Sequence, residues 1–171
     1  MKKNLILTGM MGVGKTTVGK SLSLKLNMKF IDIDDIIEKQ EGRTIRTIFE
    51  NKGEDYFRNI EKKTTISELK KDNSVISLGG GSFLNSEIRN LILSNCISFW
   101  LDIKIELLVS RLKNIKKRPL LKKNNLSDSI KKIYLERKNI YKLANHRIDC
   151  NNKKLDLIVM TIIKLYGDIR N

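Results

Sequence analysis

The segment Gly9–Thr16, with the sequence GMMGVGKT, constrains this chain more than any other feature. It matches the G-x-x-x-x-G-K-[ST] pattern of a P-loop, in which backbone N–H groups and a helix N-terminus surround phosphate oxygens. The apolar run Leu5–Thr8 precedes it, and a helical pattern from Val18 to Leu26 follows it. The motif requires this strand–loop–helix context, so we predict a nucleoside triphosphate site. Lys15 is expected to reach the β- and γ-phosphates, and Thr16 to offer its hydroxyl to Mg²⁺.

Short apolar runs alternate with helical patterns along the chain, without a repeat or a linker. The runs that we predict to be strands are Leu5–Thr8, Phe30–Ile33, Val75–Leu78, Cys96–Leu101 and His146–Cys150. Helices between successive strands imply βαβ crossovers and a parallel sheet that is covered on both faces. Ligands of such sheets bind beyond the carboxyl ends of the strands. The residues that follow each strand are therefore the candidate site residues.

Two carboxylates, Asp32 and Asp34, lie at the end of the second predicted strand. The period of two places them on one side of that strand. Near a phosphate-binding loop, such a pair suits a water-bridged metal contact and a hydroxyl acceptor. The alternative is that Asp35-x-x-Glu38 forms a capping box at a helix start. Asp34 would then only lie next to that capping box. The sequence leaves both interpretations open.

Three glycines, Gly79-Gly80-Gly81, follow the third predicted strand. They are more than a turn needs, and they let the backbone approach a ligand closely, although a plain flexible turn is the alternative. Ser82 is expected to cap the helix that follows.

Residues 111–142 carry +10 of the chain's net charge of +15. The part around Arg118-Pro119 lacks apolar periodicity, so we predict a mobile basic lid at about 112–125 that handles a polyphosphate. A solvated loop is the alternative. Lys, Ile and Asn make up 65 of the 171 residues, which leaves codon bias open as a source of the excess charge.

Arg137 lies within an apolar stripe on a helix predicted at about 126–144, four residues after Ile133 and four before Tyr141. A cation that faces inward must find an anion, because burying it alone is costly. That anion is either an internal carboxylate or part of a ligand. Arg58 is also expected to face partly inward, so the same two kinds of partner are open for it.

Other functional classes are disfavoured. No run approaches the roughly 18 apolar residues that span a bilayer, so we expect no membrane partner. Cys96 and Cys150 are too few for a disulfide framework, and we expect reduced thiols in a cytoplasmic protein. No basic patch interleaved with aromatic residues is found, so we expect no nucleic-acid partner, although a basic nucleic-acid-binding NTPase stays a rival interpretation.

The ordered set of motifs resembles the shikimate kinase family over essentially the whole chain. The set comprises the P-loop, Asp32-x-Asp34, Phe57-Arg58, the triple glycine, Arg118-Pro119-Leu120-Leu121, and Arg137 on Leu135-x-Arg-x₃-Tyr141-x₂-Ala144. The resemblance implies an α/β fold of the adenylate-kinase type, with a five-stranded parallel sheet flanked by helices on both faces. It implies a single domain over 1–171, with a substrate-binding helical segment at about 33–61.

The activity that the resemblance implies is Mg²⁺-dependent transfer of a phosphoryl group from ATP to the 3-hydroxyl of shikimate, by a monomer. Another small P-loop kinase, for gluconate or a nucleoside monophosphate, is the alternative. The Cys150–Lys153 segment departs from the family's adenine loop.

The resemblance also implies residue roles. The catalytic set is Lys15, Asp34 and Arg118. The ATP-binding set is Gly12, Val13, Gly14, Lys15, Thr16, Thr17, Arg111, which matches the position that stacks on adenine, and Arg118, which reaches the transferred phosphoryl group. The substrate-binding set is Asp34 for the ring hydroxyls, Gly80 and Gly81 along the ring, and Arg58 and Arg137 for the carboxylate. The metal set is Thr16 and, through water, Asp32.

Overall fold

A single parallel sheet forms the centre of the molecule. The computed structural model describes residues 3–112 and 126–168. Within them the five strands are β1 (Leu5–Thr8), β2 (Lys29–Asp32), β3 (Ser74–Ser77), β4 (Ile97–Asp102) and β5 (His146–Asp149). They pair in the order β2-β3-β1-β4-β5, with every neighbouring pair parallel. The predicted five-stranded parallel sheet is confirmed, and no strand end moves by more than one residue.

Seven α-helices connect or follow these strands in the described part of the chain. They are α1 (Lys15–Leu26), α2 (Ile33–Glu41), α3 (Ile45–Leu69), α4 (Ser86–Asn95), α5 (Ile105–Leu112), α6 (Leu126–Tyr141) and α7 (Leu155–Asp168). A 3₁₀ turn at Ser82–Leu84 precedes α4. The long helix α3 is kinked at Gly53, where φ is 82° and ψ is 173°.

The strand order determines which face each helix covers. Crossovers between parallel strands are right-handed, so a connection that runs towards β2 and one that runs towards β5 lie on opposite faces. Helix α1 leads towards β2, whereas α3 to α6 lead back across the sheet. Helix α7 packs against α1, and α4 packs against α3, as this rule requires. The sheet is thus flanked on both faces, and β1, β3 and β4 are buried along their whole length.

The carboxyl ends of β1 and β3 border the crevice in which a sheet of this type binds its ligand. The two strands are neighbours, but their connections leave in opposite directions, which opens a gap between the loops that follow them. The P-loop follows β1, and the triple glycine follows β3. Leu78 N donates to Leu7 O at 3.0 Å, so the pairing continues to the start of the glycine turn.

Two local predictions were wrong, and of the two interpretations left open for Asp34 the helix start is present but has a different cap. Strand β2 ends at Asp32, and this residue, rather than an Asp35–Glu38 capping box, caps α2 by accepting from Asp34 N. Ser82 does not cap α4, because Asn85 Oδ1 accepts from two N–H groups of the first turn of that helix. Helix α6 ends at Tyr141 rather than near residue 144. No helix within residues 3–112 and 126–168 has the length and apolar character needed to cross a membrane.

Candidate active site

The P-loop adopts a backbone that only glycine accommodates easily. Gly9, Gly12 and Gly14 have φ angles of 134°, 77° and 105°. A Cβ atom on Gly9 would lie 2.5 Å from the carbonyl oxygen of Leu101, so the loop passes directly over the end of β4. Gly14 is the N-cap of α1 and supplies no side-chain cap, which leaves the amino end of this helix to an anion.

The lysine of the loop folds back over it. Lys15 Nζ donates to the carbonyl oxygens of Gly9, at 2.9 Å, and Met10, at 3.1 Å. An ammonium group held there lies above the phosphate-binding backbone and is positioned to exchange these carbonyls for phosphate oxygens. Thr16 and Thr17 are exposed in the first turn of α1.

Thr16 and Asp32 form a pair at the mouth of the P-loop. Thr16 Oγ1 donates to Asp32 Oδ2 at 2.7 Å, while Asp32 Oδ1 accepts from Asp34 N at 3.2 Å. A hydroxyl and a carboxylate are hard oxygen donors of the kind that Mg²⁺ prefers. In the described residues no group of three or more His, Cys, Asp or Glu side chains could hold a metal ion. This pair suits an ion that takes most of its ligands from water and phosphate.

A cavity of about 540 Å³ opens beside this pair. Its lining includes every residue of the predicted substrate-binding set, together with both predicted metal ligands. Asp34 reaches it from α2, Arg58 from α3 and Arg137 from α6, while Gly80 and Gly81 form its floor. The period-of-two argument gave the wrong conformation for Asp34, which lies in a helix, but it correctly placed Asp34 beside Asp32. The predicted segment 33–61 supplies much of the opposite wall through α2 and the first part of α3.

Arg58 already has carboxylate partners. Its Nη1 donates to Glu61 Oε2 at 2.6 Å, and its Nη2 to Glu54 Oε1 at 3.0 Å. Burial acts to lower the pKa of Arg58, but the two carboxylates outweigh it and hold that pKa above its ordinary value. The guanidinium also lies against Gly81, where an added Cβ would be 2.5 Å from Nη1. Glycine at 81 therefore leaves the room that Arg58 occupies.

Glu61 connects the arginine to the glycine turn. This carboxylate is only 2% exposed, and its second oxygen accepts from Ser82 Oγ at 2.7 Å. A Cβ on Gly79 would lie 2.5 Å from Glu61 Oε1 and 2.9 Å from Asp34 Oδ1. The carboxylates of Glu61 and Asp34 thus converge on Gly79, on the same side of the cavity.

Arg137 differs from Arg58, because it has no internal carboxylate partner within the described residues. It is 8% exposed, and its Nη1 donates to the carbonyl oxygen of Gly80 at 2.9 Å. Tyr141 OH donates to the same carbonyl at 2.5 Å. The hydroxyl of Tyr141 is also a hydrogen-bond partner of Arg137. Neutral partners do not balance a buried cation, and burying an unbalanced charge is costly. Of the two partners that the sequence left open for Arg137, an anion of a ligand is the one that this arrangement favours.

Two of the predicted ATP contacts lie at or near the edge of the described chain. Arg111 Nη1 donates to Val13 O at 3.2 Å, so this side chain lies against the P-loop, and its stacking on adenine stays a prediction. Arg118 and the rest of the predicted lid beyond Leu112 lie outside the described residues.

Sequence reasoning missed Glu61, Ser82 and Tyr141 as parts of the site. A signal for Glu61 was available, since Arg58 and Glu61 stand three residues apart on one helix, where opposite charges meet. The contact of Ser82 with Glu61 and that of Tyr141 with Gly80 depend on how separate elements pack. No local pattern predicts them.

Taken together, the cavity brings two arginines and two carboxylates close to one another beside a phosphate-binding loop. Arg137 and Arg58 suit the carboxylate of a small molecule. Asp34 suits a hydroxyl of the same molecule, and Lys15 lies on the neighbouring P-loop. The arrangement can bring a hydroxyl of a small anionic compound to the terminal phosphate of a nucleotide.

Comparisons with known proteins agree with this geometry. The sequence model of the family described as "Shikimate kinase" matches residues 11–166. A shikimate kinase of Sulfurihydrogenibium sp. (strain YO3AOP1) is 47% identical over 161 residues, which cover 94% of this chain and 96% of the relative. The shikimate kinase from Acinetobacter baumannii, solved in complex with shikimate, superposes with a TM-score of 0.93 at 31% identity, over 97% of this chain and 93% of that one. A gluconokinase from Sinorhizobium meliloti 1021 reaches a TM-score of 0.65 at 16% identity over 98% and 93% of the two chains, which shows a shared fold alone.

Proposed function

The chain belongs to the shikimate kinase family, and from that premise we propose that it transfers the γ-phosphoryl group of ATP to the 3-hydroxyl of shikimate. The reaction is a phosphotransfer to an alcohol acceptor within aromatic amino-acid biosynthesis.

The observation that carries the proposal is the buried guanidinium of Arg137. It lines a cavity of suitable size for a small ring, and its hydrogen-bond partners among the described residues, the carbonyl oxygen of Gly80 and the hydroxyl of Tyr141, are both neutral. A substrate carboxylate supplies the missing negative charge and can accept two parallel hydrogen bonds from one guanidinium. Arg58 lies on the other side of the glycine turn, and it contributes to the same anion-binding end once it shifts from Glu54.

The acceptor hydroxyl is placed by Asp34. Its carboxylate lies at the end of the cavity that adjoins Thr16 and the P-loop. We assign it the role of orienting the 3-hydroxyl and accepting its proton as the oxygen attacks the γ-phosphorus. Gly80 and Gly81 present backbone rather than side chains to the ring, which leaves room for it.

The phosphates are held by this chain's P-loop. The N–H groups of Gly12, Val13 and Gly14, with the amino end of α1 at Thr16 and Thr17, face the phosphate oxygens. Lys15 and, on the family resemblance alone, Arg118 offset the charge on the oxygens that move with the transferred group. Little covalent chemistry is required of the protein, since positioning and electrostatics supply most of the rate.

Mg²⁺ fits the oxygen donors of Thr16 and Asp32. A Mg²⁺ ion held there would supply positive charge that offsets part of the charge of the ATP phosphates. The hydrogen bond of 2.7 Å between these two side chains holds both oxygens at the mouth of the P-loop. Asp32 also caps α2, so its carboxylate is held in place before any ion binds.

The proposal extends to the setting of the enzyme. We place it in the cytoplasm as a monomer, without a nucleic-acid or membrane partner. Cys96 and Cys150 are both free and buried, which suits a reducing compartment.

The experiment that tests the proposal is a coupled ADP-release assay with ATP and Mg²⁺. The acceptors are shikimate, gluconate, a nucleoside monophosphate, and a shikimate analogue in which a hydroxymethyl group replaces the carboxylate. We expect turnover with shikimate and a large loss of kcat/KM with the analogue. Equal turnover with gluconate or the nucleotide would refute the substrate assignment. ATPase activity that a nucleic acid stimulates without shikimate, with nucleic-acid binding that falls steeply as the salt concentration rises, would instead favour the nucleic-acid-binding rival.

A further inference from the structure

Asp102 is a buried carboxylate that the phosphotransfer described above does not use. It is the last residue of β4 and is 4% exposed. Its Oδ2 accepts from Arg147 Nε at 2.9 Å and from Arg147 Nη2 at 2.7 Å. Its Oδ1 accepts from Tyr134 OH at 3.0 Å. Since an unpaired buried carboxylate is costly, the three side chains hold one another in a single arrangement.

This group is attached to the sheet rather than to a loop. Arg147 lies on β5, directly opposite Trp100 in the register of β4 and β5. Its guanidinium carbon is 5.3 Å from the centroid of the Trp100 ring, which adds a cation–π contact. Burial and the neighbouring Asp102 raise the pKa of Tyr134 to about 12, so its phenol stays a hydrogen-bond donor throughout the neutral range.

Tyr134 is also part of the helix that carries Arg137. Tyr134 and Tyr141 are seven residues apart on α6, which is nearly two turns, so they lie along one side of the helix. Arg137 lies between them, three residues after the first and four before the second. Tyr134 OH binds the end of β4, and Tyr141 OH binds the carbonyl oxygen of Gly80, beyond the end of β3. Helix α6 is thus attached on both sides of Arg137 to the two strands that flank β1.

We propose that Tyr134, held by Asp102 and Arg147, is a positioning residue for the substrate carboxylate, because it sets the rotation of α6 and with it the place of the Arg137 guanidinium. The inference rests on the proposed function, in which a carboxylate occupies the space between Arg137 and Arg58. Helix α6 also packs against α5 and the 3₁₀ turn, so loss of the Tyr134 hydroxyl changes its rotation only slightly. A misplacement of about 1 Å is nevertheless enough to weaken a two-point contact severely.

The test is Tyr134→Phe, which removes one hydroxyl and keeps the ring in the core. We expect KM for shikimate and its calorimetric Kd to rise at least about fivefold, the effect of one ordinary hydrogen bond. KM for ATP and kcat at saturating shikimate should stay within about twofold, because the P-loop is not attached to α6 through this group.

The matched control is Tyr166→Phe. Tyr166 is also buried, at 1% exposed against 8% for Tyr134, and its OH donates to Lys3 O at 2.6 Å, but it lies on α7, on the face of the sheet that carries α1. The control should lower Tm without changing the affinity for shikimate. If Tyr134→Phe behaves in the same way, the hydroxyl is merely structural and the positioning role is overturned.

A double-mutant cycle identifies the residue through which Tyr134 acts. In the Arg137→Ala background, Tyr134→Phe should cause no further rise in KM for shikimate, because the group that it positions is gone. A further rise as large as in the wild type would overturn the proposal. Binding of shikimate to the wild type is measured first. If the wild type binds shikimate and Tyr134→Phe binds it equally well, only the positioning role fails, whereas a wild type that does not bind shikimate refutes the proposed function as well.

Discussion

Replacing Arg137 by lysine separates a ligand-binding role from an internal structural one. Lysine keeps the charge but loses the planar fork that binds a carboxylate at two points. In the substrate-free protein Arg137 donates to Gly80 O at 2.9 Å and bonds the hydroxyl of Tyr141, and within the described residues it balances no carboxylate. We therefore expect Arg137→Lys to leave the stability of the free protein almost unchanged and to weaken shikimate binding strongly.

The magnitude follows from the bonds that are lost. Losing a hydrogen bond to a charged group costs about 1.5–3 kcal/mol, which raises Kd for shikimate by about one to two orders of magnitude. At a shikimate concentration of about 100 times the wild-type Kd, ligand binding stabilises the wild type by about 2.7 kcal/mol. The same concentration stabilises the variant by about 0.4–1.4 kcal/mol. For a domain of this size these values correspond to a Tm rise of about 5–11 °C for the wild type and of about 1–6 °C for the variant.

The assay is a thermal melt with and without shikimate, accompanied by steady-state kinetics. Arg89→Lys is the matched control, since Arg89 Nη1 also binds backbone carbonyls, those of Phe83 and Leu84, but does not line the cavity. KM for ATP should stay unchanged in both variants. A fall in the Tm of free Arg137→Lys by the equivalent of about 3 kcal/mol or more, with an unchanged response to shikimate, would show that Arg137 serves an internal ion pair.

Three further perturbations examine other parts of the site. Asp34→Asn keeps the shape of the side chain but removes the proton acceptor, so kcat should fall at least about 100-fold while calorimetry still shows ATP binding. Nearly full activity would mean that Asp34 is only a residue of the first turn of α2. Gly81→Ala places a Cβ 2.5 Å from Arg58 Nη1, so the guanidinium of Arg58 must move from its position beside Glu61. KM for shikimate should then rise about tenfold. An unchanged KM would mean that Arg58 does not contact the substrate. Burial raises the pKa of both Cys96 and Cys150 to about 11, so both thiols stay protonated at pH 8. Iodoacetamide should therefore alkylate the folded protein at least about tenfold more slowly than the urea-unfolded chain. Equal rates in the two states would contradict that burial.

Local sequence patterns were sufficient for the framework of this protein. The P-loop spacing, the apolar strand before it and the alternation of strands and helices predicted a parallel α/β sheet with a phosphate site after β1, because each of these signals acts within a few residues. The residues that follow β2 and β3 line one cavity beside the P-loop, since parallel strands end at the same edge of a sheet. The position of Arg137 in an apolar stripe predicted that it faces inward.

Helix and strand boundaries were less certain, because competing local signals are close in energy there. Asp32 and Asp34 were predicted to share one side of a strand, but the strand ends at Asp32, whose carboxylate caps α2. A capping box at Asp35 and a cap at Ser82 were reasonable from spacing alone. Asp32, which caps α2, is also bonded to Thr16 of α1, a contact that spacing alone does not reveal.

Only the tertiary structure decided what Arg137 meets. Arg58 binds two carboxylates on its own helix, at spacings that the sequence shows, whereas Arg137 reaches the carbonyl oxygen of Gly80, 57 residues away in the chain. The partner of Tyr134 is 32 residues away in the chain, at the end of a different strand. A sequence pattern reports which side of an element is buried, because burial follows the helix or strand period. It does not report which atoms lie opposite, because those come from other elements and are brought there by the packing of the sheet and its helices.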